Sequence, residues 1–441
     1  MRKKLQHQSP LVYPFIDHEH AEELRKISEI IDRLPYAGGL VYEDLVRDVA
    51  DVNNGRPGLC GDQVLRLLIL KQMNGFSYHE FAFHLADSRC YRAFCGFGID
   101  EKAPSKSTLQ ANLKMILPQT VEVINRLLLA VAQEAGVEKG RTVRFDSTVV
   151  ETNIHHPTDS SLLWDSVRVL ARLLDRGRDL ADVPVTNHTR RAKRRVLGIL
   201  NAKSSAQRTP LYRDLLKVTR ETVVMAEKMA SALKDIARGL AAELNHYASL
   251  ARRVIDQTER RVLRGESVPS PEKVVSIFED HTDVVVKDRR ETNYGHKIYL
   301  ATGKSGLLLD CVIEDGNPAD SSLAKELVER QKCFYARAPR QVAFDGGFAS
   351  RVNLKDIKVS GVKDVLFNKK RGLKVLDMVK STWVYKRLRN FRAGIEGIIS
   401  FLKRCFGLDR CMWRGEESFR SYVWGSVLSA NLLILARHSM E

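Results

Sequence analysis

The feature that most constrains the fold is the order in which strand and helix patterns follow one another. A strand pattern occupies residues 142–150 and then stops. From about residue 160 to residue 264, apolar residues recur every three or four positions, which is typical of helices. Strand patterns return only near residue 274, and a helix and further strands follow them. This order predicts an α/β fold with a mixed sheet that is interrupted by a long helical insertion.

The predicted strands are short apolar segments bounded by turn residues. They cover residues 142–150, 274–278, 283–288, 294–301, 306–313, 341–344 and 362–367. Lys304, Ser305 and Gly306 are typical of a hairpin turn at the start of the fifth of these strands. Helices are predicted over residues 321–332 and 351–357, on either side of the sixth strand.

Two of the predicted strands present an aspartate directly after a phenylalanine. Asp146 lies in the first strand, and Asp345 follows the strand of residues 341–344. Gly346 and Gly347 come directly after Asp345, and they allow the backbone to turn immediately behind the carboxylate. Two strands that each present a carboxylate predict that both belong to one site.

A third acidic residue lies on a predicted helix over residues 389–403. With Arg392 as the zero of a helical wheel, Glu396 falls at about 40° and Lys403 at about 20°. Arg389 falls at about 60°. The apolar residues occupy another side of the wheel and are Phe391, Ile395, Ile398, Ile399 and Leu402. The pattern predicts a buried apolar stripe and an exposed charged line, which is also typical of an ordinary amphipathic helix with an Arg–Glu pair.

Three carboxylates in one place repel one another unless cations neutralise them. We therefore expect Asp146, Asp345 and Glu396 to be both the catalytic residues and the ligands of two Mg²⁺ ions, for which Mn²⁺ would substitute. Two such ions about 3.5–4 Å apart activate a nucleophile and stabilise the leaving oxygen at a phosphodiester. Arg392 and Lys403 are expected to hold nucleic-acid phosphates beside them.

These residues resemble the site of the DDE transposases of bacterial insertion sequences, in particular the branch with a Tyr-Arg-Glu-Lys signature. That signature runs Y-x2-R-x3-E-x6-K, and Arg392, Glu396 and Lys403 match its last three members with the right spacing. Arg389 stands where the tyrosine belongs, which removes no metal ligand but changes a residue expected to bind DNA.

Other motifs of that family have counterparts in the chain. FDSTVVE around Asp146 resembles the first acidic motif, and AFDGGF around Asp345 resembles the second. YGHKIYLATGKSGLLLDCVIEDGNPADS resembles the strand pair that precedes the second motif. The likeness covers roughly residues 60–435, apart from the helical insertion. It implies an RNase H-like catalytic core with the acids on the first strand, the fourth strand and a later helix.

The resemblance also implies a function, which is that of a DNA transposase that binds the terminal inverted repeats of its insertion sequence. Such an enzyme cleaves a strand by metal-dependent hydrolysis and joins the freed 3′-hydroxyl to target DNA. Two other functions fit the same residues: a non-catalytic DNA-binding protein derived from a transposase, and an RNase H-like nuclease without joining activity. The presence of all three acids favours an enzyme over the first of these.

The charge of the chain favours a polyanionic partner. Lys and Arg number 71 against 54 Asp and Glu, which gives a net charge of +17. Phosphate contacts made by such cations release condensed counterions, although charge alone does not exclude a merely basic protein. Short helices joined by short turns before about residue 135 are typical of a helix-turn-helix domain that binds double-stranded DNA; a small helical packing domain fits them equally.

The helical insertion carries a basic run that contains Arg190, Arg191, Lys193, Arg194 and Arg195. Such a run is usually a solvated loop, but contact with DNA is a competing interpretation. A heptad-like apolar repeat on both sides of the run predicts two long helices, which pair within one chain or between two chains. A homodimer assembled on DNA is therefore expected.

The predicted domains follow from these patterns. They are a helical N-terminal DNA-binding domain (1–135), the RNase H-like core (136–157 and 270–405), a helical hairpin insertion (158–269) and a C-terminal helix packed on the core (406–441). Seven scattered cysteines without a C-x-x-C pair predict neither a zinc ribbon nor a disulfide framework. The most apolar run, residues 422–436, is too short to span a membrane, so a cytoplasmic protein is expected.

Overall fold

The computed structural model describes residues 16–440 apart from 53, 55, 56, 99, 288–290, 369 and 370. The chain forms two compact units, the first with the residues up to 151 and from 297 onward, the second with residues 152–296. Within the described residues the strands are β1 Thr142–Glu151, β2 Asp283–Lys287, β3 Glu291–Thr302, β4 Leu308–Ile313, β5 Gln341–Phe344 and β6 Asp364–Phe367. The α-helices there are α1 Glu19–Asp32, α2 Ala37–Val46, α3 Gly61–Asn74, α4 Tyr78–Asp87, α5 Arg89–Phe94, α6 Lys106–Leu113, α7 Pro118–Glu134, α8 Asp159–Gly177, α9 Thr189–Asn201, α10 Ser205–Leu233, α11 Arg238–Thr258, α12 Asp320–Tyr335, α13 Arg351–Val359, α14 Val375–Met378, α15 Thr382–Cys405 and α16 Glu416–His438.

The strands form a mixed sheet in the order β2, β3, β1, β5, β6, and β4 also pairs with β3. β5 runs parallel to both β1 and β6, whereas β2 and β4 run antiparallel to β3. Every residue of β5 and β6 is buried, as expected of parallel strands that are covered on both faces. The predicted α/β class with a mixed sheet is therefore confirmed.

Residues 274–278 do not form the predicted strand. Side chains hold their backbone instead of a neighbouring strand. Gln257 Oε1 accepts the N–H of Val274 at 2.9 Å, and Ser276 Oγ accepts the N–H of Phe278 at 3.1 Å. The prediction was wrong because a short apolar run fits a buried irregular segment as well as it fits a strand.

Within the described part of the second unit there are four α-helices, α8 to α11, where the periodicity predicts two. The apolar repeat over residues 229–254 is split, because α10 ends at Leu233 and α11 begins at Arg238. Ile236 lies in the turn between them and is exposed. The remaining residues of the repeat lie in or against the apolar cluster of this unit, so the seam is buried within one chain.

In the first unit, the N-terminal helices and the sheet share a hydrophobic cluster. α16 packs against α1, α3, α7 and β4. Its fully buried Asn431 donates from Nδ2 to the Leu308 carbonyl of β4 and to Oδ1 of Asn125 in α7, both at 2.8 Å. The Asn431 Oδ1 accepts the N–H of Leu308 at 2.8 Å. α16 therefore connects the N-terminal helices to the sheet through buried hydrogen bonds and apolar packing.

Across the described residues, no single helix has the length and apolar composition needed to cross a membrane. One bent pair, α6 with α7, meets that test when its two helices are taken together, and they meet at an angle of 79°.

Candidate active site

Asp146 and Asp345 lie side by side because β1 and β5 pair in parallel register. The register places Phe145 opposite Phe344, and their rings stack with centroids 4.7 Å apart. The next residue on each segment is the aspartate. Since neighbouring parallel strands advance together, the pairing that buries the two aromatic rings also brings the two carboxylates together.

α15 adds the third acid and a cation to this pair. The Arg392 Nη2 lies 2.7 Å from Asp146 Oδ2 and 3.2 Å from Asp345 Oδ1. The Arg392 Nη1 lies 2.8 Å from Glu396 Oε1, one helical turn further along α15. All three acids predicted from the sequence therefore meet at a single guanidinium. We call Asp146, Asp345, Glu396 and Arg392 the acidic site.

The position of α15 over the sheet depends on Arg144 of β1. Its Nη1 donates to the carbonyl of Phe391 at 2.6 Å, and its Nε donates to Thr302 Oγ1 at 2.8 Å. The guanidinium also lies 4.6 Å from the centre of the Phe391 ring. Burial lowers the pKa of Arg144, but these hydrogen bonds keep its donors satisfied. The sequence pattern did not indicate a role for Arg144, because its only distinguishing feature is a positive charge within an otherwise buried strand.

The approach of Arg144 also explains a glycine inside the helix. A Cβ on Gly394 would lie 2.3 Å from Arg144 Nη1. Any larger side chain at this position would therefore push the guanidinium away from its partners. At Gly397, by contrast, nothing in the described part of the chain lies within 4 Å of the corresponding Cβ position.

We expect Gly394→Ala to destabilise the protein by about 1–3 kcal/mol, because Arg144 would lose a hydrogen bond from a charged donor. Gly397→Ala is the matched control: it adds the same methyl group to the same helix and is expected to stabilise by up to about 1 kcal/mol. Urea unfolding of both variants measures the difference. Equal stability of the two variants would contradict the role given to Arg144.

The turn after Asp345 is shaped by a fourth acid, Asp320. A Cβ on Gly347 would lie 2.4 Å from Asp320 Oδ2, so this glycine makes room for a carboxylate of the protein. Asp320 in turn pairs with Lys297 at 2.5 Å and accepts the Tyr299 hydroxyl at 3.1 Å. Burial and the charge of Asp320 raise the pKa of Tyr299, which keeps its hydroxyl protonated as a donor. Gly347 therefore makes room for Asp320, a contact that the sequence pattern did not indicate.

The other predicted residues of α15 lie around the acidic site. Arg392 is only 8% exposed and so does not lie on the predicted solvent-facing line, because its side chain reaches Asp146 and Asp345. Lys403 Nζ lies 3.2 Å from Asp409 Oδ1. Arg389 is exposed and makes no ion pair with any residue that the structure describes.

The predicted basic run lies in the second unit and forms α9 instead of a loop. Arg191 and Arg195 both bind Asp214 of α10, which holds the pKa of this carboxyl at about 2, chiefly through the hydrogen bond from Arg191. Arg190, Lys193 and Arg194 are exposed and make no ion pair with any described residue. Residues 189–220 contain ten lysines and arginines and one acidic residue. This surface, α9 with the first half of α10, is called the basic surface.

The acidic site fits a divalent metal in its chemistry but not in its present arrangement. Carboxylate oxygens are the ligands that Mg²⁺ prefers. No group of three or more His, Cys, Asp or Glu side chains within the described ranges is arranged to hold a metal ion. At the acidic site, the Arg392 guanidinium lies among the three carboxylates and occupies the position that a metal ion would need.

Two protein families match this chain. Residues 12–114 match the family described as Transposase domain (DUF772), and residues 272–432 match the family described as Transposase DDE domain. The second match includes Asp345, Arg392 and Glu396, while Asp146 lies between the two matched regions. The chain is therefore similar to transposases over these two regions, and the second match supports an enzyme that acts on DNA.

A protein from Rhizobium meliloti, described as "Uncharacterized protein ORF8 in nfe locus", is 30% identical over 123 residues. The alignment covers 27% of this chain and 59% of the relative. No solved structure matches the chain.

Proposed function

We propose that this protein is a DNA transposase that binds the terminal inverted repeats of its own element and catalyses metal-dependent strand cleavage and strand transfer. The observation that carries the proposal is the meeting of Asp146, Asp345 and Glu396 at one point of the first unit. The two transposase family matches support the same class of enzyme. The spacing of Arg392, Glu396 and Lys403 supports the Tyr-Arg-Glu-Lys branch.

The strand order supports an RNase H-like core. If β2, which pairs only with the first half of β3, is counted as an extra strand, then β1, β3, β4 and β5 are the first four strands of the core. Asp146 then lies on the first strand and Asp345 at the end of the fourth, as the resemblance implies. On this basis we assign residues 1–135 to DNA binding, 136–157 and 270–405 to the core, 158–269 to the insertion and 406–441 to a supporting helix.

In this enzyme Asp146, Asp345 and Glu396 would hold two Mg²⁺ ions. When bound, these ions would activate water and stabilise the leaving oxygen of a phosphodiester. Asp146 and Asp345 project from paired strands, which fixes their separation, and Glu396 approaches from α15. Lys403 is available for a DNA phosphate because its pairing with the exposed Asp409 is a surface ion pair of little energy.

Two displacements at phosphorus would follow one another at these residues. In the first, water attacks the phosphodiester at the transposon end, the bond from phosphorus to the 3′ oxygen breaks, and a free 3′-hydroxyl leaves. In the second, this hydroxyl loses its proton and attacks a target phosphodiester, which releases a 3′-hydroxyl of the target. Each step develops negative charge on the attacking, leaving and non-bridging oxygens of one phosphodiester, so the same set of carboxylates would serve both in turn.

A strand-transfer assay tests the proposal. Purified protein, labelled duplexes that end in the terminal repeats flanking the gene, a circular target and Mg²⁺ are expected to give nicked ends and then joined products. Nicked ends without joined products would favour the RNase H-like nuclease instead. Binding of the repeats with neither product would favour a non-catalytic DNA-binding protein.

We also propose that the basic surface contacts the DNA backbone. Replacing Arg190, Lys193 and Arg194 together by alanine is expected to weaken duplex binding. It should also reduce the slope of log K against log salt concentration by about 3, since each lost phosphate contact removes about 0.9. Fluorescence anisotropy at several salt concentrations measures both.

The matched control for this triple variant replaces Lys228, Lys234 and Arg238, which are exposed cations at the far end of α10 and the start of α11. These residues lie outside the basic surface, so their replacement is expected to leave the salt dependence unchanged. Equal slopes for the two triple variants would contradict a role of α9 in binding DNA.

We further propose that two copies assemble on DNA, since two transposon ends must be held together for joining. The apolar seam of the second unit is buried within the chain, so the dimer would have to use another surface. Size-exclusion chromatography with light scattering is expected to show a dimer in the presence of end DNA. A monomer both with and without DNA would contradict this part of the proposal.

A further inference from the structure

We propose that Arg392 is the resident cation of the acidic site, which divalent metal ions must displace and which then moves to a DNA phosphate. The inference rests on the proposed function for the identity of the metals and the DNA. It assigns Arg392 a second role beyond contact with DNA: it holds the three carboxylates together while no metal is bound. Metal loading and strand binding are thereby coupled through one side chain.

The contacts of Arg392 are those of a cation that substitutes for a metal. Its two terminal nitrogens lie 2.7–3.2 Å from oxygens of Asp146, Asp345 and Glu396. A guanidinium has one positive charge, so the four side chains together still carry a net charge of −2. Divalent ions neutralise this cluster better than Arg392 does, and carboxylates are their preferred ligands.

Arg392 is also not fully satisfied where it lies. The residue is 8% exposed, yet its Nε atom is buried without a hydrogen-bond partner among the residues that the structure describes. A buried donor without a partner is costly. Arg144 of β1, which contacts the same helix, shows the contrast, because its Nε donates to Thr302 and its Nη1 to the Phe391 carbonyl. Arg144 has the contacts of a permanent structural residue, and Arg392 has those of an exchangeable one.

The exposure of the three acids shows from which side the exchange can occur. The side chain of Asp146 is 14% exposed, that of Asp345 is 36% exposed and that of Glu396 is 67% exposed. A metal ion therefore reaches Glu396 and Asp345 first. As it binds them it removes two of the three carboxylates that hold Arg392, and the guanidinium becomes available to a phosphate on the open side of α15.

Coupling of this kind is reciprocal, because a residue released by one ligand favours the binding of the other. Bound DNA that takes up Arg392 would raise the metal affinity of the site, and bound metal would raise the DNA affinity. An enzyme with this coupling would bind its metal ions chiefly when a DNA strand is bound.

The test measures Mn²⁺ binding to the full-length protein without DNA, by electron paramagnetic resonance and calorimetry. Arg392→Met is expected to bind Mn²⁺ at least about tenfold more tightly than wild type, because the competing charge is gone. Arg392→Lys keeps the charge but cannot reach all three carboxylates, so an intermediate affinity is expected. Combining Arg392→Met with Asp345→Asn should abolish the gain.

Arg404→Met is the matched control, since Arg404 is an exposed arginine of the same helix whose Nε donates to the Ser400 carbonyl. Its Mn²⁺ affinity should equal that of wild type. Unchanged or weaker Mn²⁺ binding by Arg392→Met and Arg392→Lys would overturn the inference, whereas strand transfer by wild type would still support the proposed function. Tighter binding in the variant without any cleavage by wild type would leave the inference standing and overturn the function.

Discussion

Replacing Asp345 by asparagine is expected to reduce strand cleavage at least about a thousandfold, a loss of about 4 kcal/mol of transition-state stabilisation. Asparagine keeps the size of the side chain and the turn that follows it, but it removes the negative charge that a divalent ion requires. Binding to end DNA should remain largely intact, because Asp345 is not a phosphate contact. Cleavage of a labelled duplex and a gel-shift titration of the same sample separate the two effects.

Asp356→Asn serves as the control for that variant. Asp356 lies on α13 of the same unit and is partly exposed. Among the described residues its ion-pair partner is Lys325, at 3.9 Å. Its replacement is expected to leave both cleavage and binding unchanged. Cleavage by Asp345→Asn at the rate of wild type would refute the assignment of this carboxylate.

The second large effect concerns stability and comes from Lys71, a buried lysine of α3. The residue is 6% exposed, and its Nζ lies 4.8 Å from the centre of the Tyr78 ring and 5.8 Å from that of Trp413. Burial lowers the pKa of Lys71 to about 8. Lys71→Met removes the cost of burying this charge, which is up to about 3 kcal/mol at pH 7. It also removes the two ring contacts, which contribute roughly 1 kcal/mol. We therefore expect the free energy of unfolding at pH 7 to rise by up to about 2 kcal/mol.

This gain should depend on pH in a defined direction. Between pH 8 and about 10.5 the unfolded chain keeps a proton on Lys71 that the folded protein has lost, so wild type becomes more stable as the pH rises. The advantage of Lys71→Met should therefore be full below pH 8 and disappear towards pH 10.5. Urea unfolding of both proteins across this range measures it, with Lys106→Met, an exposed lysine, as control. A constant difference between pH 7 and 10.5 would contradict the lowered pKa.

Local patterns in the sequence were sufficient for several elements that carry the site. The segment 142–150 is close to the observed β1, and 294–301 and 306–313 lie close to β3 and β4. Strand periodicity is a local property, so short apolar runs bounded by turn residues were enough to locate these strands. The placement of an aspartate after a phenylalanine on two strands also depends only on neighbouring residues, which is why it was visible before the register of β1 and β5 was known.

Features that depend on distant partners were not visible. A helical wheel places Arg392 on a charged face, but whether that face meets solvent or a sheet is decided by packing between segments far apart in the chain. The sequence around Gly394 did not predict its close contact with Arg144, and that around Gly347 did not predict its close contact with Asp320. Each of these contacts joins two elements that are far apart in the chain. The break of the heptad-like repeat at Ile236 was likewise hidden, since α10 and α11 both contribute residues with compatible spacing.

The most direct test of the account is a crystal structure of the protein with end DNA and Mn²⁺, in which anomalous scattering locates the metal. The account predicts two Mn²⁺ peaks bounded by Asp146, Asp345 and Glu396, with the Arg392 guanidinium moved from these carboxylates to a phosphate. Metal peaks at other residues, with the three acids still bound to Arg392 and the DNA ends in place, would contradict it.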